Sequence, residues 1–155
     1  MRLASGLSAN VARLIASTAA TVEAFLLGGL ILDKMLIVGL GGFIGANMRY
    51  WLGAWIDTQF GLRFPLGTFL INLTGSLLLG FIATITIERA LIDPRWRLAI
   101  GVGFIGAYTT FSTFTYESVK LLEAGSYGLA ALNVFGSGAL GLIGAGLGII
   151  LGRAI

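Results

Sequence analysis

Apolar residues run through this chain in long blocks, and the few polar positions inside those blocks recur at helical spacing. Four blocks are long enough to cross a bilayer, which takes about 20 apolar residues. They cover residues 36–56, 65–87, 98–122 and 127–151, joined by short polar connections at 57–64, 88–97 and 123–126. The pattern predicts an all-α membrane protein of four transmembrane helices, with nothing left over for a soluble domain.

Residues 1–34 stand apart from that pattern. The stretch "LIASTAATVEAFLLGGLIL" (14–32) has the length of a fifth crossing. Glu23 would then sit near its middle, at a cost of about 3 kcal/mol. A signal peptide is a second option, but no good cleavage site precedes Leu36. The favoured reading is translation beginning at Met35, or a dispensable amphipathic extension, ahead of a four-helix domain at 35–155.

Neighbours on a helix lie three and four residues apart. In the first block Gly41, Gly45, Arg49 and Gly53 share one ladder, which places Arg49 on a small-residue face that another helix can approach. An arginine about two turns from the end of a span can equally snorkel to headgroups. In the second block Thr68, Asn72, Ser76 and Gly80 form a ladder, and in the fourth Asn133, Ser137 and Gly141 do. An isolated asparagine at such a depth usually bonds between helices. Two polar ladders among four helices point to a hydrated path.

The third block holds "GVGFIGAYTTFSTF" (101–114), followed by Thr115. Gly101, Gly103 and Gly106 match a dinucleotide-binding pattern, but they lie inside an apolar span with no preceding strand, so that reading fails. Glycines followed by β-branched threonines make a poor helix interior. A break between Gly106 and Thr113 is expected, and it would free backbone carbonyls that must meet an ion, water or a hydroxyl. The alternative is a continuous helix whose hydroxyls bond back to their own carbonyls.

Composition narrows the chemistry. The chain is 57% hydrophobic and 11% charged, with 24 glycines; its mean hydropathy is +0.95. Small residues let helices approach closely in lipid. Cysteine and histidine are both absent, which removes thiol chemistry and imidazole relays. Basic residues form no patch that would bind nucleic acid. With the N-terminus inside, one side carries Arg89, Arg95, Arg97 and Arg153 and the other Arg63 and Lys120. That bias is too weak to fix one orientation.

Asp57, Glu88, Asp93, Glu117 and Glu123 all read as lying near block ends. The interior offers donors instead: the Asn72 amide, hydroxyls and Arg49, with phenyl rings whose edges are partially positive. Such a path favours an anion. A small four-helix multidrug exporter, the alternative from another class, would need a membrane carboxylate that the first block lacks.

Four stretches carry a family likeness: "GGFIGANMRYWLG" (41–53), "FPLGTFLINLTGSLLLGF" (64–81), "GFIGAYTTFSTFTYES" (103–118) and "LNVFGSGALGL" (132–142). Together they resemble the CrcB/Fluc family of fluoride channels. The resemblance implies multi-pass subunits of the cell (inner) membrane that pair antiparallel as a dual-topology homodimer with two pores. It implies passive export of cytoplasmic fluoride, without enzymatic chemistry. Phe111 and Phe114 match the family's pore phenylalanines and Asn72 its pore asparagine. Ser112 and Thr113 fall in the hydroxyl-bearing stretch, Ser137 matches a serine of the polar track, and Asn133 falls where many relatives carry tyrosine. Gly106 and Thr109 match positions whose carbonyls, two from each subunit, hold a structural Na+ that is not transported.

Overall fold

A computed structural model describes residues 2–155, apart from the side chains of residues 2–15 and 24–26. Two compact units divide between Leu36 and Ile37. The first is helical along its described length. The second holds the last part of the first helix and every later element.

Five helices are named in chain order: α1 (Arg2–Phe60), α2 (Leu66–Glu88), α3 (residues 94–108), α4 (Phe111–Glu123) and α5 (Tyr127–Ala154). α3 and α4 form one apolar stretch, Pro94–Glu123, so among the described residues four stretches have the length and composition to cross a membrane. The first of them, Ala16–Phe60, has 45 residues, more than one crossing of about 20 requires.

Local chemistry sets the helix ends. α1 stops at Gly61, whose φ of +53° is open to glycine without strain. α2 follows Pro65, and the Gly67 N–H in its first turn donates to Asp57 Oδ1 at 2.9 Å, satisfying one donor that the helix cannot. Asp93 caps α3 by accepting from the Arg95 N–H at 2.7 Å, with Pro94 as the first helical residue. Wide, π-type turns occur at Thr84–Glu88, Arg97–Ile105 and Leu132–Gly136. They shift which residues share a face, so a ladder drawn at ideal spacing does not survive the whole length of α5.

α2 and α5 pack against each other along much of their length. It depends on bare backbone. A Cβ at Gly80 would overlap the Ala145 carbonyl, and one at Gly148 would overlap the Leu77 carbonyl and lie 2.8 Å from the Phe81 nitrogen. On the other side of the bundle, a Cβ at Gly103 would lie 2.7 Å from the Val38 carbonyl oxygen. At the membrane edge Arg153 of α5 clasps Glu88 of α2, with Nε–Oε2 at 2.7 Å and Nη2–Oε1 at 3.0 Å. This exposed pair closes the end of the α2–α5 contact.

One prediction arises from this packing. Gly148→Ala must push α5 off α2, and overpacking of this kind typically costs about 1–3 kcal/mol. Thermal unfolding of the detergent-solubilised protein should show the loss as a lower midpoint.

Candidate functional site

The α3–α4 junction determines the site. Thr109 (φ −81°, ψ 157°) and Thr110 (φ −150°, ψ 120°) are extended, so the helix is broken at two residues within the expected stretch. Extended geometry suits β-branched residues. Thr110 then starts the next helix: its Oγ1 accepts from the Thr113 N–H at 3.2 Å.

Three residues on other helices hold the break. Asn72 of α2 pairs with Thr110 in both directions: Nδ2 donates to the Thr110 carbonyl at 3.0 Å, and Oδ1 accepts from the Thr110 N–H at 2.8 Å. Arg49 of α1 donates from Nη1 to the Thr109 carbonyl at 3.4 Å. Gly75 of α2 leaves room for the Thr109 methyl, which a Cβ there would overlap. Arg49 is thus turned towards α3 from the small-residue face of α1, where a Cβ at Gly45 would overlap the Phe104 carbonyl.

Beside the break runs a cavity of about 810 Å³, walled by α2, α4 and α5. Of the residues expected to line an ion path, Asn72, Phe111, Phe114 and Ser137 do line it, as does Thr109. Phe111 is 77% exposed. Its ring centroid lies 5.7 Å from that of Phe114, with the planes tilted by 43°. Ser112, Thr113, Arg49 and Gly106 are not part of the lining. Ser112 and Thr113 instead engage the cap of α4, with Oγ atoms 3.3 and 3.0 Å from Thr110 Oγ1.

Both alternatives drawn for the hydroxyls hold in part. The helix is broken, yet Thr109, Thr115 and Ser118 donate to carbonyls of their own turns, those of Ile105, Ser112 and Phe114, at 3.0, 2.9 and 2.8 Å. Ser76 does the same to Asn72 at 2.8 Å.

Two residues sit differently from their sequence ladders. Thr68 donates to Glu117 Oε1 at 2.9 Å, so its hydroxyl is directed to a carboxylate rather than to the cavity. Glu117, read as lying near a block end, is two turns inside α4, and its Oε2 is buried without a hydrogen-bond partner. A second cavity of about 450 Å³, lined in part by Asp57, Arg63 and Lys120, opens beside it. Asn133 is fully buried and donates from Nδ2 to Ser118 Oγ at 2.9 Å, tying α5 to α4. Ser137 Oγ lies 3.5 Å from Asn133 Oδ1. Ser118 and Thr110 are the site residues that sequence reading missed. Ser118 falls one helical turn after Phe114, a spacing that could have flagged it.

Short apolar helices around a trough of phenyl rings, one amide and hydroxyls define a small polytopic membrane protein with a donor-lined cavity. Residues 36–149 match the family model described as "CrcB-like protein, Camphor Resistance (CrcB)". The chain belongs to this family. It is 48% identical over 122 residues to the fluoride-specific ion channel FluC of Acidobacterium capsulatum, covering 79% of this chain and 98% of the relative. Against FluC of Oceanobacillus iheyensis the identity is 50% over 118 residues, covering 76% and 90%. For FluC of Thermus thermophilus it is 43% over 123 residues, covering 79% and 96%.

Proposed function

We propose that this chain is a fluoride channel of the cell membrane that exports cytoplasmic fluoride passively. The observation that carries this reading is the convergence of Asn72, Phe111, Phe114 and Ser137 on one cavity, in a chain whose relatives are named as fluoride-specific channels. Fluoride is small and strongly hydrated, so a path must replace its water with donors. Amide and hydroxyl groups supply N–H and O–H, and phenyl edges supply partial positive charge. No fuel is required. An inside-negative potential drives each anion outward with about 2.3 kcal/mol per 100 mV.

The functional unit is an antiparallel homodimer with two paths. The support is the weak positive bias of the loops and the 77% exposure of Phe111, an aromatic ring that a second copy would cover. Asn72, Phe111, Phe114 and Ser137 line the path. Arg49, Ser112 and Thr113 act next to it, through the break and its cap.

A sodium ion at the dimer centre completes the reading. The chain's groups fit such an ion: the break presents main-chain carbonyls at membrane depth, and neutral oxygens suit a monovalent cation better than a divalent one. Among the described residues no cluster of acidic side chains offers a competing site. Gly106 and Thr109 would supply the oxygens. The Thr109 carbonyl has two lone pairs, so its bond from Arg49 leaves one available. When bound, the ion supplies fixed positive charge that joins the two subunits.

The deciding experiment uses purified protein in liposomes loaded with potassium fluoride, with efflux followed by a fluoride electrode after valinomycin is added. Fluoride should leave rapidly and chloride, tested in parallel, should stay. Equal release of both anions, or of neither, would overturn the assignment.

A further inference from the structure

We propose that Asn72 is a positioning residue for the cation site, in addition to lining the anion cavity. The inference rests on the fluoride-channel reading with its sodium ion, and it comes from where one N–H points. In an uninterrupted α-helix each N–H bonds the carbonyl four residues earlier, so the Thr110 N–H would be the partner of Gly106. It goes to Asn72 Oδ1 at 2.8 Å instead. The carbonyl released from that bond belongs to Gly106, one of the two residues assigned to sodium. The carbonyl of Thr110 is held in turn by Asn72 Nδ2 at 3.0 Å, so it is turned towards α2. A single side chain therefore fixes the backbone on both sides of the Thr110 α-carbon and selects which oxygens remain free.

The pairing resembles one rung of a β-ladder, with an amide side chain acting as the second strand. It also explains the choice of residue. A carboxamide provides a donor and an acceptor on two separate atoms of one short planar stem, so it can serve the N–H and the C=O of one residue together. One N–H of Asn72 Nδ2 remains beyond the bond to Thr110, available to an anion in the cavity that Asn72 lines. The residue thus links the two ion sites by their geometry.

The acceptor and the donor can be separated. Asn72→Leu removes both while keeping the side-chain size, and lets the Thr110 N–H return to Gly106. Asn72→Asp keeps the acceptor for the Thr110 N–H and replaces the donor by an anionic oxygen. The readout is sodium-dependent thermal stability of the solubilised dimer, titrated with sodium chloride against N-methylglucamine chloride at constant ionic strength. It requires no conduction.

The sodium concentration giving half of the stabilisation should rise at least tenfold in Asn72→Leu. In Asn72→Asp it should stay at or below that of the unaltered protein, even though fluoride efflux collapses. Asn72→Ala repeats the Leu arm in case the leucine disturbs packing. Should both apolar variants fail to form dimers, the sodium midpoint of Asn72→Asp decides, and a tenfold rise there would overturn the proposal. An unchanged sodium midpoint in a dimeric Asn72→Leu or Asn72→Ala protein would overturn it, as would an unaltered protein whose stability ignores sodium. If sodium behaves as expected but fluoride does not permeate the unaltered protein, the channel assignment fails and the positioning role survives.

Discussion

Phe111→Ile and Phe114→Ile should each leave a folded protein whose fluoride efflux is at least roughly tenfold slower, equivalent to about 1.4 kcal/mol in the barrier. Isoleucine keeps hydrophobicity and much of the volume, and such exchanges usually cost less than about 1.5 kcal/mol of stability. What isoleucine lacks is the ring's quadrupole, whose edge attracts an anion while its face repels one. Permeation and stability should therefore separate. Liposome efflux and the unfolding midpoint, measured on the same preparations, would test this. Wild-type efflux in either well-folded variant would make that ring simple filler. A Phe111→Tyr control, which keeps a ring, should retain more flux than Phe111→Ile.

The other large effect concerns sodium. Prolonged exposure to sodium-free buffer containing N-methylglucamine should abolish fluoride efflux, and restoring sodium should bring it back. Backbone carbonyls carry no formal charge, so the proposed site would favour a monovalent cation over a divalent one. An ion sealed between subunits should exchange slowly and carry no current. The reversal potential measured under a sodium gradient should therefore follow the fluoride gradient alone. A potential that tracks sodium would identify a cotransporter. Efflux indifferent to thorough sodium removal would show that the carbonyls of Gly106 and Thr109 are dispensable.

The sequence made some features legible and concealed others, for identifiable physical reasons. Helix number followed from the lengths of the apolar blocks. The break was visible because three glycines precede threonines, and local backbone preference is readable from local residues; its position, Thr109 and Thr110, lies inside the expected stretch. Partners across helices were not visible, because they depend on how two helices are rotated against each other. Asn72 looked like a donor facing a path, yet its amide also pairs with the main chain of Thr110. Thr68 looked like the next rung of the same ladder, yet it bonds Glu117. Asn133 shows a further limit: the wide turn at Leu132–Gly136 changes the spacing on which its ladder was drawn, and the residue is buried against Ser118.

The self-bonded hydroxyls bear on how such a protein is made. In the homodimer proposed above, a newly inserted chain would have its cavity facing lipid until another copy arrived, and an unpaired hydroxyl in hydrocarbon would be penalised by several kcal/mol. Here Ser76, Thr109, Thr115 and Ser118 already donate to carbonyls of their own helices. A lone subunit therefore avoids that penalty at these four hydroxyls. Under the antiparallel pairing proposed above, that tolerance would matter, because the mate would have to be threaded the opposite way up.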